Sequence, residues 1–458
     1  DALGGAVNFI TASATVSQFR LRAGAGNFGY DEERVVGSYS TRIWSEQITA
    51  DRNRSTGFMA DRDFRSAAVS SETHVHTALG YTTVLLAMSD RPFGAGQFYG
   101  PYNSWERTKG WFTALSQDLG EKMKVAFGYR RHTDEFVLLR DDPAVYENNH
   151  ADQSWQISLR RHDDLKQNIL LSYGAEGFRD QIDSNNLGRH ARNWGALYAA
   201  IDLRALRRFS FSVGAREESY QGTKGQFSPS VSGAYWISQS LKLRGAASHA
   251  FRLPTYTDLY YSDPSSIGNP NLRPETAWSY EGGVDWDRGG RWGVSATVYW
   301  RNEKNGIDYV RASPDDVWRA VNFDRVNFTG VEALLRLRAF SHSEFSVGYS
   351  GIYGAQQALH GLESQYVFNY PTHNTFVAWQ GTVFGQLAAR TRIGITQRYA
   401  DNAYALWDFA LARATGRIRP YVQLTNLGNT TYHEVQDVRM PGHSVIGGLE
   451  WILFEKTK

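Results

Sequence analysis

FRLPTYTDLYYSDPSSIGNPNLRPE, Phe251 to Glu275, lies near the middle of the chain between two segments in which apolar and polar residues alternate. It holds four prolines, two of them in Asn-Pro and Arg-Pro steps, so a regular hydrogen-bonded ladder cannot run through it. Its aromatics, Phe251, Tyr256, Tyr260 and Tyr261, make it more than a solvated linker. The stretch reads as a long, shaped connection, and the fold turns on what it connects.

On either side the period is two. Met123, Val125, Phe127 and Tyr129 alternate with Lys122, Lys124, Ala126, Gly128 and Arg130, which gives a strand one apolar and one polar face. The same phase recurs in Phe209, Phe211, Val213 and Ala215, and in Phe345, Val347 and Tyr349. Trp292, Val294, Ala296, Val298 and Trp300 place aromatics at both ends of an apolar stripe, the layout of a lipid-facing band between interfacial girdles. Such segments are expected near 15–24, 32–43, 44–54, 66–76, 78–89, 104–118, 121–133, 151–162, 166–178, 191–203, 207–219, 227–237, 240–251, 276–287, 291–303, 320–338, 343–354, 370–380, 384–398, 403–415, 417–426 and 443–454. About 22 strands make a large closed barrel.

The connections alternate in length as well. Asp163-Asp164-Leu165, Ala205-Leu206, Ser238-Gln239 and Asp287 to Gly290 read as tight turns on one side. Long connections near 55–65, 90–103, 134–150, 179–190, 252–275, 304–319, 355–369 and 427–442 fall on the other. Outer-membrane barrels have this asymmetry, with short periplasmic turns and long external loops. In the last segment the phase is ambiguous: Leu449, Trp451 and Leu453 share one face, while Phe454 falls on the other with Glu450.

Composition agrees. Of 458 residues 14% are aromatic, with 43 Gly and 25 Tyr against 12 Pro, which suits a β protein. A net charge of +2 without basic runs excludes nucleic acid as the expected partner. The absence of cysteine excludes a disulfide framework and thiolate metal sites. No apolar run is long enough for a membrane helix, and a mean hydropathy of -0.47 is compatible with a membrane barrel, whose alternation conceals its apolar face.

The central stretch resembles that of the TonB-dependent outer-membrane transporters, in which FR-x-PT-x-x-(D/E)LYY followed by GNPNL-(K/R)-PE joins two barrel strands. Asn322 to Glu332, NFDRVNFTGVE, and Asn426 to Tyr432, NLGNTTY, are similar to two further runs of that family. Asp1 to Thr11, DALGGAVNFIT, resembles the closing strand of its plug. The resemblance therefore implies an all-β transmembrane antiparallel barrel over 13–458 and the last strand of a plug over 1–12, the rest of the plug lying upstream. It implies a Gram-negative outer-membrane receptor that takes up a scarce, bulky nutrient with the TonB complex if a plug is present. The LYY form is most like the cobalamin branch, so a corrinoid is favoured over a ferric siderophore. The alternative is a plugless or separately plugged barrel, acting as a scaffold or pore in an envelope complex with a separate plug chain or surface lipoprotein.

Pro254, Asn269, Pro270, Leu272, Pro274 and Glu275 are expected to shape backbone rather than touch ligand, and the resemblance implies a mainly structural role for Gly330, Glu332 and Asn426 as well. Ligand contact is expected from Phe98, Tyr99, Tyr102 and Trp105, with Tyr256, Tyr260 and Tyr261, because large rigid aromatics dominate recognition. Outer-membrane lipid is the other expected partner.

No enzyme motif stands out. Gly24, Gly26 and Gly29 form a GxGxxG, but Glu33 to Tyr39 reads as a strand, so the glycines mark a hairpin turn and not a phosphate cradle. His162 with Asp163, and His132 with Asp134, suggest acid–base pairs, but neighbours in a strand face opposite ways and no catalysis is expected. His74 and His76 share a face that could in principle hold a metal, though a two-His pair reads first as polar lumen lining. Asp180 and Asp183, with Asn185 and Asn186 in a long loop, are the oxygen ligands that calcium would take, as the resemblance to cobalamin transporters implies; Asp141 and Asp142 share that weaker reading.

Overall fold

The computed structural model of the chain describes residues 14–206, 208–221, 225–340, 342–354, 359–367, 369–435 and 438–457. The expected plug strand, Asp1 to Thr11, lies outside the described residues. Beyond it the chain forms the strands Val16–Gly26, Tyr30–Ser40, Trp44–Ser55, Phe64–Thr77, Gly80–Gly94, Trp105–Leu119, Met123–Val137, Glu147–Lys166, Ile169–Ser184, Gly188–Leu206 and Phe209–Tyr220. Gln226–Trp236, Leu241–Arg252, Glu275–Arg288, Trp292–Arg311, Trp318–Ala339, Ser343–Gly354, Pro371–Val383, Leu387–Arg398, Tyr404–Arg413, Ile418–Thr425 and Ser444–Thr457 complete the set. Every one of the 22 falls on a segment expected from alternation. Each pairs antiparallel with its neighbour in sequence, and the last pairs with the first, so the sheet closes.

Its inside and outside are those of a membrane barrel. Phe209, Phe211, Val213, Phe345, Val347, Trp292, Val298 and Trp300 are all exposed, Val298 at 61%. Their polar alternates face the lumen, where they pair: Arg216 meets Glu176 at 2.7 Å, and Arg244 meets Asp285. Among the described residues the buried apolar side chains form two small clusters, Val310 with Phe323, Val326 and Phe328, and Tyr220 with Phe251 and Leu253. A water-soluble sandwich would have hidden the Phe and Val stripes. Here they are exposed because acyl chains, not other side chains, are their solvent. No described helix is long and apolar enough to cross a membrane.

Local chemistry sets the turns. The glycine motif ends in a hairpin: Phe28 and Gly29 both have φ 59°, the left-handed pair that matches strand twist. A Cβ at Gly29 would come within 2.7 Å of the Thr56 hydroxyl. In the lumen Gly330 leaves the space in which the Tyr299 ring lies; a Cβ there would stand 2.2 Å from the ring.

Several expectations need correction. The long connection expected at 304–319 is only 312–317, because the strands run on to Arg311 and resume at Trp318. The tight turn expected at Asp163 to Leu165 comes later, at 167–168, and Ala205-Leu206 still belong to a strand. The long connection expected at 179–190 is a three-residue turn, because both strands extend past the membrane to Ser184 and from Gly188. His132 and Asp134 are two residues apart, not neighbours, and share the lumenal face; across the ladder they meet Asp152 and His150. The closing strand settles its own ambiguity. Phe19 pairs with Phe454 but Arg20 with Ile452, so a bulge at Leu453 returns Phe454 to the outer face of Leu449 and Trp451.

Candidate ligand-binding mouth

The central connection folds as a strap across the rim, held at both ends. After Pro254, Thr255 caps the short helix Tyr256–Tyr260: its hydroxyl accepts from the Asp258 N–H at 3.0 Å, and the Asp258 carboxylate accepts from the Thr255 N–H at 2.9 Å. Asp263 then accepts the N–H groups of Ser265 and Ser266 and turns the chain into Ser266–Ile267, which runs parallel to Trp318–Arg319. Asn269 donates to the Ala320 carbonyl at 3.2 Å and accepts from the Asn271 N–H at 3.0 Å. Glu275, 4% exposed, binds the Arg252 guanidinium and the Ile307 N–H. Asn426 does similar work in the last loop: buried, at φ 50°, it bonds the Thr430 backbone in both directions. Each of these contacts shapes backbone.

The tyrosines of the strap face the neighbouring wall. The Tyr256 hydroxyl donates to the Asp180 carbonyl at 3.2 Å, and the Arg192 guanidinium lies 5.1 Å over the Tyr256 ring. Tyr260 stacks on His190, centroids 3.7 Å apart and planes within 5°. Tyr261 bonds Asp263 at 2.9 Å, and burial together with its bonds to Tyr146 and Asp263 pushes its hydroxyl well above the ordinary phenol range. Asn186, from the Ser184 to Gly188 turn, clamps Ser262 through both amide atoms.

The second aromatic group comes from the connection 95–104. Tyr99 packs edge-on against Phe98 at 4.8 Å and against Phe136 at 5.0 Å, and its hydroxyl donates to Glu106. Burial, before the bond to Glu106, raises the Tyr99 pKa; Tyr366, on the connection 359–367, is near enough to add to the rise. Tyr366 in turn stands edge-on to Tyr309 at 6.2 Å, and the Tyr309 hydroxyl donates to the Thr257 carbonyl at 3.0 Å. Thus Tyr366 and Tyr309, which sequence reasoning missed, stand between the two expected groups and extend them into an arc of aromatic residues, with Tyr309 joined to the strap at the Thr257 carbonyl. Tyr102 is exposed, and Trp105 shares the outward strand face of Arg107 and Lys109.

The arc has fixed supports. Asp308, 2% exposed, accepts from the Ser364 hydroxyl and from the N–H groups of Tyr366 and Val367 at 3.1 and 3.0 Å, so it holds the Tyr366 segment to its strand. Arg140 grips Asp63 with two bonds, 2.5 and 3.0 Å, and ties two outer connections together. That bond holds the Asp63 carboxyl below its usual range.

The oxygen-ligand candidates do not converge. Asp180 faces the lumen and accepts from the Trp194 indole at 3.2 Å, whereas Asp183 faces outward and pairs with Arg189 at 3.0 Å. Asp141 accepts from Asn103 at 2.8 Å. His74 and His76 both line the lumen, His74 bonded to Glu72 at 3.0 Å and His76 edge-on to Tyr81 at 4.8 Å. Among the described residues no three His, Asp or Glu side chains gather as a metal site.

Residues 6–438 match a family model described as TonB dependent receptor-like, beta-barrel. The vitamin B12 transporter BtuB of Photobacterium profundum is 26% identical over 365 residues, 72% of this chain and 56% of that protein. The iron-regulated outer membrane virulence protein of Vibrio cholerae is 26% identical over 239 residues, 46% of this chain and 36% of that protein. The match thus spans little more than half the length of the first of these relatives and about a third of the second. Among solved structures, the siderophore receptor PirA from Pseudomonas aeruginosa superposes with a TM-score of 0.76 at 13% identity, covering 97% of this chain and 82% of that one, a likeness of fold.

Proposed function

The chain belongs to the TonB-dependent receptor β-barrel family of the Gram-negative outer membrane, and from that premise we propose that it forms the barrel of a receptor for a scarce, bulky nutrient, with a corrinoid favoured over a ferric siderophore. The observation that carries the reading is the arc of aromatic residues at the barrel mouth: Tyr256 and Tyr309 bond backbone carbonyls, Tyr260 stacks on His190, Tyr366 stands edge-on to Tyr309, and Tyr99 packs on Phe98 and Phe136. Large, pre-ordered aromatic surfaces suit a large, flat solute at low entropic cost. The printed names of the relatives support the choice of ligand: two of them are vitamin B12 transporters. In this reading the connections capture ligand outside, and a plug coupled to the TonB complex releases it inward. The test is equilibrium binding by the full-length protein from native membranes, with cyanocobalamin and a ferric catecholate as competing probes. Tighter binding of cyanocobalamin is expected; preference for the iron chelate, or binding of neither, overturns the assignment.

A further inference from the structure

We propose that His132, Asp134, His150 and Asp152, on the bore side of the rim, form a pH-dependent selector of solute charge: at neutral pH the patch turns anions away, and in mild acid it lets them pass. The inference rests on the reading of the mouth as the capture site. The ladder builds the patch. Met123–Val137 and Glu147–Lys166 set His132 directly across from Asp152 and Asp134 directly across from His150, so acid and imidazole alternate as a checkerboard on one lumenal face. The outward rings Tyr129 and Trp155, 5.4 Å apart, mark the girdle, and the four residues lie beyond it toward the long connections. They also lie beside the aromatic arc, because the charge of Asp134 acts on the Tyr99 hydroxyl and on Glu106.

The patch differs from the rest of the bore in the kind of cation that answers it. Elsewhere arginine holds the lumenal carboxylates: Arg22 meets Glu32 at 2.9 Å, Arg216 meets Glu176 at 2.7 Å, and Arg301 meets Glu303 at 3.1 Å. The cations that act on Asp134 are His150 and His132, and on Asp152 the same two histidines with Arg130. Burial raises both carboxyls above their ordinary range, and the cations offset it only in part. One Asp134 oxygen is buried without a hydrogen-bond partner, while His150 bonds the Ser184 hydroxyl at 2.7 Å. Around the four, Glu106 on the strand before and Asp180 on the strand after add negative charge. Arg130, Arg91 across from Thr108 and Arg192 across from Asp180 keep their positive charge at any pH the protein meets. An imidazole ordinarily takes its proton near pH ~6.5, so mild acid adds up to two positive charges here and cancels those of Asp134 and Asp152. An anionic iron chelate gains from that change, and a corrinoid whose rim is neutral amide does not.

The test uses the intact protein in detergent micelles and needs no ligand. The chain has no cysteine, and Thr108, directly across from Asp134 on the lumenal face, becomes the reporter as Thr108→Cys. Its rates of reaction with a cationic trimethylammonium and an anionic sulfonate methanethiosulfonate are measured; the thiolate fraction cancels in their ratio, which leaves the local potential. The cation-to-anion ratio is expected to fall about two- to threefold from pH ~8 to pH ~6, the effect of two imidazole protons roughly 8 Å away in water at physiological salt. With His132→Gln/His150→Gln added, the ratio is expected to stay level. Heat-modifiable gel migration establishes that each variant folds. A level ratio in the parent reporter, or a fall that survives the histidine replacements, overturns the proposal. Cyanocobalamin binding by the same protein is scored separately: its absence would remove the capture reading, while the ratio would still decide the charge of the patch.

Discussion

Replacing Val213 by arginine is the sharpest test of which face meets lipid. Val213 is 47% exposed, flanked across the ladder by Ile201 and Val231, which are exposed too. It lies four residues into Phe209–Tyr220 from the short-turn end, and at about 2.5 Å of height per residue in a strand tilted by roughly 40° that is near the middle of a ~25 Å apolar band. An arginine there costs about 2–4 kcal/mol, a loss of roughly thirty- to a thousandfold in the folding constant. Its sequence neighbour Ser212 faces the polar lumen, paired with Asp202 and Ser232, so Ser212→Arg is expected to cost about 1 kcal/mol or less. The assay is reversible urea unfolding from thin liposomes, followed by tryptophan fluorescence. Equal costs at the two positions, or a larger cost at Ser212, would refute the assignment of faces.

Three further outcomes follow from particular contacts. Gly330→Ala drives a methyl into the Tyr299 ring and is expected to destabilise the barrel by about 1–3 kcal/mol in the same assay, with Tyr299→Ala relieving most of the loss. Asp308→Ala strands the N–H groups of Tyr366 and Val367, each costing about 1–3 kcal/mol, so limited proteolysis should cut 359–367 faster while leaving the strands intact. Because Arg140 holds the Asp63 carboxyl below its usual range, the tether is complete above the ordinary carboxylate pKa of about 4 and is lost as pH falls through the lowered value. Hydrogen exchange in 138–146 should accordingly rise in acid, and Arg140→Gln should raise it at neutral pH and remove the acid step.

Much of this architecture was legible because period two survives wherever one strand face meets lipid and the other water. It fades where that contrast ends. Ile307, Asp308, Tyr309 and Val310 are all buried, so the strand beyond Glu303 has no alternation and reads as loop. The extensions to Ser184 and from Gly188 were hidden for a related reason: above the girdle both faces are polar, and the Asp and Asn residues there resemble loop chemistry. A single inserted residue at Leu453 scrambled the phase of the last strand. In the mouth, residue type and spacing pointed to backbone shaping at Asn269, whereas Asn426 was singled out only by the family resemblance. The link through Tyr309 and Tyr366 could not, since it joins connections more than two hundred residues apart, from Tyr99 to Tyr366, with no local signal. The shared lumenal face of His132 and Asp134 was legible from parity alone.

The central claim is that the two-residue rhythm separates lipid from bore around a closed wall. The chain has no cysteine, so single-cysteine spin labels along 293–298 carry no background. Oxygen accessibility in reconstituted bilayers should be high at Val294→Cys, Ala296→Cys and Val298→Cys and low at Ser295→Cys and Thr297→Cys. A flat profile, or one with the opposite phase, would contradict it.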